Sequence, residues 1–139
     1  MKLRIRGNSL RLRLLRGEVE QFGKTGRVEE TIEFGASSPA RLSYILEADK
    51  NARQIAVHYA DNQITVTVPK KAAQNWVESE LVTLMSEQPI YNAEQNGTDK
   101  NDASENVLRI LIEKDFVCLD RKDDPDNADA FPHPTGKCS

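Results

Sequence analysis

Hydrophobic and polar residues alternate strictly at the start of the chain. Leu3 and Ile5 stand between cations, and the alternation resumes at Leu10 after Gly7-Asn8-Ser9. A period of two is typical of a half-buried strand, and glycine and asparagine tolerate the positive φ of a tight turn. The pattern therefore predicts a β-hairpin over residues 1–14, with Gly7-Asn8 as its turn.

Two short helices are expected further along. Apolar residues recur at helical spacing in one segment: Leu15, Val19 and Phe22. They predict a helix over residues 16–22 that Gly23 ends. Pro69 suits the first turn of a second helix, where its missing N–H is not needed, and Ala73 and Trp76 would share one face of it.

Six further segments have the pattern of strands. They are Val28 to Phe34, Ala40 to Glu47, Arg53 to Tyr59, Gln63 to Val68, Leu81 to Met85 and Leu108 to Phe116. About eight short strands, two short helices and no regular strand–helix alternation predict an α+β fold with one mostly antiparallel sheet. No internal repeat is apparent. We expect a single α+β domain over residues 1–119, followed by an acidic, proline-containing C-terminal tail over residues 120–139.

Composition limits the class of protein only loosely. The chain has 139 residues, of which 38% are hydrophobic and 29% charged, as expected for one ordinary globular domain. Its longest apolar run is far shorter than a membrane span, and its first residues do not resemble a secretory signal. We therefore expect a cytoplasmic protein without a membrane partner.

The charge is distributed unevenly. Residues 1–27 hold eight cations and two glutamates, for a net charge of +6, whereas the whole chain has a net charge of −3. A two-residue turn would place Arg6 opposite Ser9, Arg4 opposite Arg11 and Lys2 opposite Arg13. A four-residue turn over residues 7–10 would place Arg6 opposite Arg11 and Arg4 opposite Arg13, with the same residues on each face. Cross-strand partners point to the same side of a sheet. Five residues, here called the hairpin cations, are thus expected on one face: Lys2, Arg4, Arg6, Arg11 and Arg13.

Two arrangements would offset the repulsion between the hairpin cations. The more ordinary one is an internal ladder of salt bridges, with Glu29 and Glu33 on a neighbouring strand and Glu47 beside them. The other is a bound anion, for which arginine supplies bidentate donors. In that case the hairpin cations would form an anion-binding site.

Other candidate sites have weaker signals. Cys118, His133 and Cys138 could bind a metal ion, but they lack the closely spaced ligand pairs of structural zinc sites. Gly23-Lys24-Thr25 is similar to the end of a phosphate-binding loop, yet Glu18 occupies the position of the first required glycine. We predict no metal, no cofactor and no catalytic residue.

Several segments read together identify a family. They are residues 1–14, Ile64 to Pro69, Leu108 to Leu119 and Phe131-Pro132-His133-Pro134. They resemble a family of small uncharacterised bacterial proteins over nearly the whole chain. The resemblance implies no activity, cofactor or site.

A second resemblance is local. Gly7-Asn8-Ser9 followed by Arg13 and then Glu18-Val19 is similar to the opening of AbrB and MazE-like swapped-hairpin transcription factors and antitoxins. That resemblance implies dimers that dock basic hairpins on DNA, with Arg11 and Arg13 contacting phosphates or bases. Leu15 stands where those proteins usually have proline.

The sequence thus predicts a binding or interaction module. Its expected partner is an anionic ligand or an acidic protein segment that meets the hairpin cations. Two alternatives stay open. A DNA-binding protein would show an affinity that falls steeply with salt, and an enzyme acting on a small phosphorylated ligand would show a concave pocket with a perturbed acid or base.

Overall fold

The computed structural model describes residues 1–37, 39–90, 106–115 and 129–131. These residues form the eight strands and two helices that the α+β prediction requires. The strands are β1 (Lys2–Arg6), β2 (Ser9–Leu14), β3 (Arg27–Glu33), β4 (Arg41–Asp49), β5 (Ala56–Ala60), β6 (Gln63–Pro69), β7 (Thr83–Pro89) and β8 (Val107–Lys114). The helices are α1 (Arg16–Thr25) and α2 (Lys70–Glu78).

The strands divide into two sheets, whereas the sequence predicted one. The first sheet has the order β1-β2-β8-β7 and the second β3-β4-β6-β5. The outer pairs of each sheet are antiparallel, and the central pairs, β2 with β8 and β4 with β6, are parallel. The division arises because α1 and α2 each carry the chain from one sheet to the other.

Strand β7 is displaced from its predicted position. It begins at Thr83, two residues later than expected, and the Val82 carbonyl just before it accepts two hydrogen bonds. Its donors are the Trp76 indole N–H at 2.9 Å and the Lys114 backbone N–H at 3.1 Å. Pro89 is the last residue of β7, which is an edge strand and therefore tolerates the missing donor.

Helix α1 extends past Gly23, so the prediction that this glycine ends the helix is wrong. The helix ends at Thr25 and is capped by Gly26, which has a φ of +76° and donates its N–H to the Phe22 carbonyl at 2.9 Å. Gly23 instead allows the two helices to approach closely. A Cβ atom there would lie 2.8 Å from the Val77 side chain on α2.

The core lies between the helices and the inward faces of the two sheets. Phe22 and Trp76 contact each other edge to face, with ring centroids 6.2 Å apart. The other large, fully buried side chains are Leu12, Leu14, Leu46, Val66, Val68, Ile110 and Ile112. These aliphatic residues come from the central strands of both sheets, so one core joins the whole domain. No helix in the described ranges is long and apolar enough to span a bilayer.

The two halves of the chain have the same order of strands and helices, although no repeat was expected from the sequence. The series β1-β2-α1-β3-β4 is followed by β5-β6-α2-β7-β8. The pair of Lys2 with Arg13 corresponds to the pair of Ala56 with Thr67, a shift of 54 residues at both positions. A pseudo-twofold relation therefore exchanges the two sheets.

The parallel strand pairs follow the same relation. The pair of Ser9 with Arg109 in the first sheet corresponds to the pair of Gln63 with Ser43 in the second. The repeat is hidden in the sequence because the equivalent buried positions stay apolar but change identity, as Phe22 and Trp76 do.

Side chains connect the sheets where their edges meet. Between β5 and β7, the Gln88 side-chain amide accepts from the Val57 N–H at 2.6 Å and donates to the Val57 carbonyl at 3.0 Å. Between β1 and the second sheet, the Tyr44 hydroxyl donates to the Met1 carbonyl at 3.0 Å, and the N-terminal amine pairs with Glu18 and Glu30. Burial raises the pKa of Tyr44, and the charges of Glu30 and Glu18 add to the effect.

Three residues of the predicted tail pack against the domain. Ala130 is buried, and the Phe131 N–H donates to the Asp115 carbonyl at 2.7 Å. Both carboxylate oxygens of Asp129 accept from the Gly17 N–H at 3.1 Å. This short segment, Asp129–Phe131, is called the docked segment below.

Candidate anion-binding face

The hairpin has the register of a two-residue turn, which is one of the two registers that the sequence allows. Arg6 lies opposite Ser9, Arg4 opposite Arg11 and Lys2 opposite Arg13. Gly7 has a φ of +54°, which glycine adopts without steric cost. The five hairpin cations therefore lie on one face of the first sheet, while Leu10, Leu12 and Leu14 point into the core.

Strands β8 and β7 extend this face. Arg109 lies beside Ser9, and Glu113 lies beside Arg13. Glu87 is the partner of Arg109 on β7. Local sequence patterns do not reveal Arg109 and Glu113 as part of this face, because the parallel pairing of β2 with β8 joins segments about a hundred residues apart. We call the outer surface of the first sheet the cationic face.

Carboxylates of the same chain neutralise one end of the cationic face. Arg13 Nε donates to Glu113 Oε2 at 3.2 Å, and Arg11 Nε lies 3.7 Å from Glu113 Oε1. Lys2 Nζ lies 3.2 Å from a carboxylate oxygen of Asp115. This end of the face, far from the turn, is therefore an internal salt-bridge cluster.

The partners predicted for that cluster were wrong. Glu29 pairs with Arg27 at 3.2 Å, and Glu33 lies 3.8 Å from Arg41. Glu47 lies on β4, opposite Arg27. All three glutamates belong to the second sheet, because α1 carries the chain away from the hairpin before β3 begins.

The turn end of the face keeps its positive charge. Arg4 and Arg6 are exposed, and within the described ranges neither forms an ion pair. Arg109 Nε lies 3.6 Å from a Glu87 oxygen, but both side chains are more than half exposed, so water and salt screen this pair. Arg6 and Arg109 are thus exposed at the turn end, and Arg4 lies one step further along the same face of β1.

An open depression with a volume of about 540 Å³ lies at this end. It is lined by Arg6, Gly7, Asn8, Ser9, Val107, Arg109 and Leu111. Ser9 on β2 stands between Arg6 on β1 and Arg109 on β8, so a hydroxyl lies between two arginines. Adjacent strands are about 4.8 Å apart, which puts the two arginine backbones roughly 10 Å from each other.

The turn beside the depression is fastened to β8. The Asn8 side-chain amide donates to the Val107 carbonyl at 2.7 Å, and the Arg109 N–H donates to the Asn8 carbonyl at 3.1 Å. These two hydrogen bonds fix the backbone of the turn relative to β8, and with it the positions from which the side chains of Arg6, Ser9 and Arg109 extend. A preorganised set of donors binds an anion at a lower entropic cost than a flexible one.

Two other sets of residues bear on the chemistry of the site, the candidate metal ligands and the groups with clear pKa shifts. The cluster of Cys118, His133 and Cys138 lies outside the described residues, and within them no group of three or more metal-ligating side chains is found. The clear pKa displacements belong to Tyr44 and Lys114, neither of which lines the depression. Burial lowers the pKa of Lys114, whose ammonium donates to the Ser79 carbonyl at 2.7 Å.

The fold and the cationic face define an α+β protein of two four-stranded sheets, one of which presents a partly neutralised basic surface. The chain belongs to the family of unknown function DUF7009, whose model matches residues 1–135. This confirms the whole-chain resemblance to an uncharacterised family. Comparison with curated proteins and with solved structures gives no match.

Proposed function

We propose that the protein is a binding module for a small phosphate-bearing anion, held at the turn end of the cationic face. The observation that carries the proposal is the row formed by Arg6, Ser9 and Arg109 across three adjacent strands. Guanidinium groups form paired, charge-assisted hydrogen bonds with phosphate oxygens, and the serine hydroxyl adds a further donor. Arg4, also exposed, supplies a second charge on β1.

The distribution of charge favours a small ligand over a long polyanion. A duplex lying along the hairpin would need Arg11 and Arg13, but Glu113 already pairs with both. The Glu113 and Asp115 carboxylates would also repel a phosphate backbone at that end of the face. The free positive charge is confined to one compact area, which matches the size of one or two phosphate groups.

DNA binding of the swapped-hairpin kind is the second candidate. It is favoured by the exposed basic hairpin, and it requires Arg11 and Arg13 to leave Glu113. An enzyme acting on a phosphorylated ligand is the third, and it would require a general acid or base beside the depression. We propose the bacterial cytoplasm as the setting, in keeping with the family that the sequence resembles.

Thermal unfolding with three probes tests the proposal. Inorganic pyrophosphate, ATP and a short DNA duplex are added separately at one fixed ionic strength, because selective binding to the native state raises Tm. We expect pyrophosphate and ATP to raise the Tm of the natural protein. The double variant R6Q/R109Q should lose this effect, while the matched variant R27Q/R41Q on the second sheet should keep it.

Three outcomes would overturn the proposal. One is the absence of any rise in Tm with either small probe. Another is an equal rise in the R6Q/R109Q variant, which would move the site away from the turn. The third is stabilisation by the duplex alone with a steep dependence on salt, which would support nucleic-acid binding instead.

A further inference from the structure

A groove with a volume of about 460 Å³ lies away from the cationic face, between the two helices. The C-terminal end of α1 forms one wall, one side of α2 forms the other, and the end of β4 closes it. Its lining includes Phe22, Lys24, Asp49, Lys50, Lys70 and Gln74. Three lysines against one aspartate give this groove, called the lysine groove, a positive charge.

The pseudo-twofold relation assigns an equivalent to each wall of the lysine groove. Lys70 at the start of α2 corresponds to Arg16 at the start of α1, and Phe22 corresponds to Trp76. Asp49 at the end of β4 corresponds to Asp115 at the end of β8. The equivalent groove is thus formed by the start of α1, the end of α2 and the end of β8.

That equivalent groove is occupied by the docked segment. The Phe131 ring lies 5.7 Å from Arg16 Cζ and 5.7 Å from Lys114 Nζ, as a cation lies over an aromatic face. The Phe131 N–H bonds to Asp115, and Asp129 accepts from Gly17 on the opposite side. A short acidic segment with an aromatic residue two positions after a carboxylate therefore fills this groove, with its ring beside two cations.

We propose that the lysine groove binds a similar acidic segment of a partner protein. The partner segment would be extended, with a carboxylate followed two residues later by an aromatic side chain. Lys70 takes the place of Arg16 as the cation beside the ring, and Ala48 takes the place of Lys114, which leaves more room. Lys71 takes the place of Gly17, and its side chain fills the space equivalent to that in which Asp129 is held, so the partner's carboxylate would pair with the lysines of the groove instead. Lys24 and Lys50 add positive charge that complements an acidic partner.

A partner protein fits better than the chain itself. The docked segment already occupies the equivalent groove of its own domain, where Ala130 is 6% exposed and Phe131 packs against the core. A second copy would have to give up these contacts before its segment could enter the lysine groove. An acidic segment of a different protein carries no such cost.

The test uses the full-length chain and a synthetic peptide with the sequence Asn-Ala-Asp-Ala-Phe-Pro, taken from residues 127–132. Binding of the fluorescein-labelled peptide is measured by anisotropy, and its location by amide chemical shifts of the ¹⁵N-labelled protein. We expect weak, saturable binding with a Kd of about 0.1–1 mM. The amide signals of Lys50 and Gln74 should shift the most.

Matched variants distinguish binding in the lysine groove from non-specific electrostatic attraction of the acidic peptide. The K24E/K70E double variant should weaken binding at least about fivefold, as expected for charges that face a ligand. The K24Q/K70Q variant removes the two charges without reversing them, and it provides the same test if K24E/K70E does not fold. R41E, at the far end of β4 from the groove, should bind within about twofold of the natural protein. Peptides with asparagine for aspartate, or alanine for phenylalanine, should bind more weakly.

Each of the following results would overturn the inference. Binding could be unsaturable at about 5 mM peptide, or equally weakened by R41E and by K24E/K70E. Alternatively, the shifts could centre on Arg16 and Lys114, which would show that the peptide merely exchanges with the docked segment. The pyrophosphate test of the cationic face uses other residues, so either proposal can fail alone.

Discussion

At the scale of single residues, Glu113 sets how much of the cationic face is open to a ligand. It lies between Arg11 and Arg13 in space, with its side chain 17% exposed, and contacts both guanidinium groups. Half-buried ion pairs are screened less than exposed ones. Arg11 and Arg13 are therefore held by the protein itself, and only the turn end is left for an anion.

Replacing Glu113 by glutamine should release the two arginines. We expect the affinity of E113Q for pyrophosphate to rise by about threefold to tenfold, since each freed cation adds attraction. Isothermal titration calorimetry measures the change, with E33Q on the second sheet as the matched control. An unchanged or lower affinity in E113Q would show that anions bind elsewhere.

The buried ammonium of Lys114 should make stability depend on pH. Burial lowers its pKa below the ordinary 10.5, so the unfolded chain binds the proton more tightly than the native state does. Stability contributed by this residue should therefore rise with pH between the lowered pKa and 10.5, as the native state sheds its buried charge.

Urea unfolding of the natural protein and of K114M at several pH values tests this expectation. The free energy of unfolding of the natural protein, minus that of K114M, should increase from pH 7 to pH 10.5. Other titrating groups, Tyr44 among them, are common to both proteins and largely cancel in the difference. A difference that stays flat or falls would contradict the desolvation of Lys114.

At the scale of the elements, local sequence patterns predict which helices and strands form. They do not predict where an element ends or what it packs against. The hairpin register follows from alternation and turn chemistry, which act between neighbouring residues, and both are confirmed. The end of α1 was misplaced because Gly23 has the same local signature as a terminating glycine. Its packing against Val77 depends on a helix that is distant in the sequence.

Substitution of Gly23 by alanine distinguishes these two roles. Helix propensity alone would stabilise α1 by about 1 kcal/mol. The contact with Val77 should reverse the sign and destabilise the protein by about 1–3 kcal/mol, because the helices must separate.

The V77A substitution should suppress much of the cost of G23A, and a double-mutant cycle with urea unfolding measures the coupling. Q21A, on the exposed side of α1, is the control and should change stability little. A stabilising effect of G23A in the natural background would contradict close helix packing.

At the scale of the whole molecule, the fold consists of two halves related by a pseudo-twofold axis. The fold class could be predicted because it depends on the number and order of elements. Three features could not be predicted, because they depend on contacts across the whole chain. They are the division into two sheets, the pairing of β2 with β8 and the glutamate that neutralises the hairpin. The candidate site was therefore predicted in part. Alternation placed Arg4 and Arg6 on the cationic face, but it gave no sign of Arg109 or Glu113.

The contact between the two sheets also makes a testable contribution to stability. Gln88 forms two hydrogen bonds with the backbone of Val57 and so acts as a substitute for strand pairing between β5 and β7. Q88A should cost about 1–3 kcal/mol, because it leaves a backbone donor and acceptor without partners. Q54A, at an exposed position before β5, should cost less than about 0.5 kcal/mol. Equal effects of Q88A and Q54A in urea unfolding would contradict this role.

The most direct test of the anion-binding account is a pyrophosphate titration that follows the Nε–Hε signals of arginine by NMR. The account predicts saturable shifts of the Arg6 and Arg109 signals with one common Kd, while Arg27 and Arg41 on the second sheet stay in place. Shifts that are absent, that never saturate, or that are equal on both sheets would contradict it.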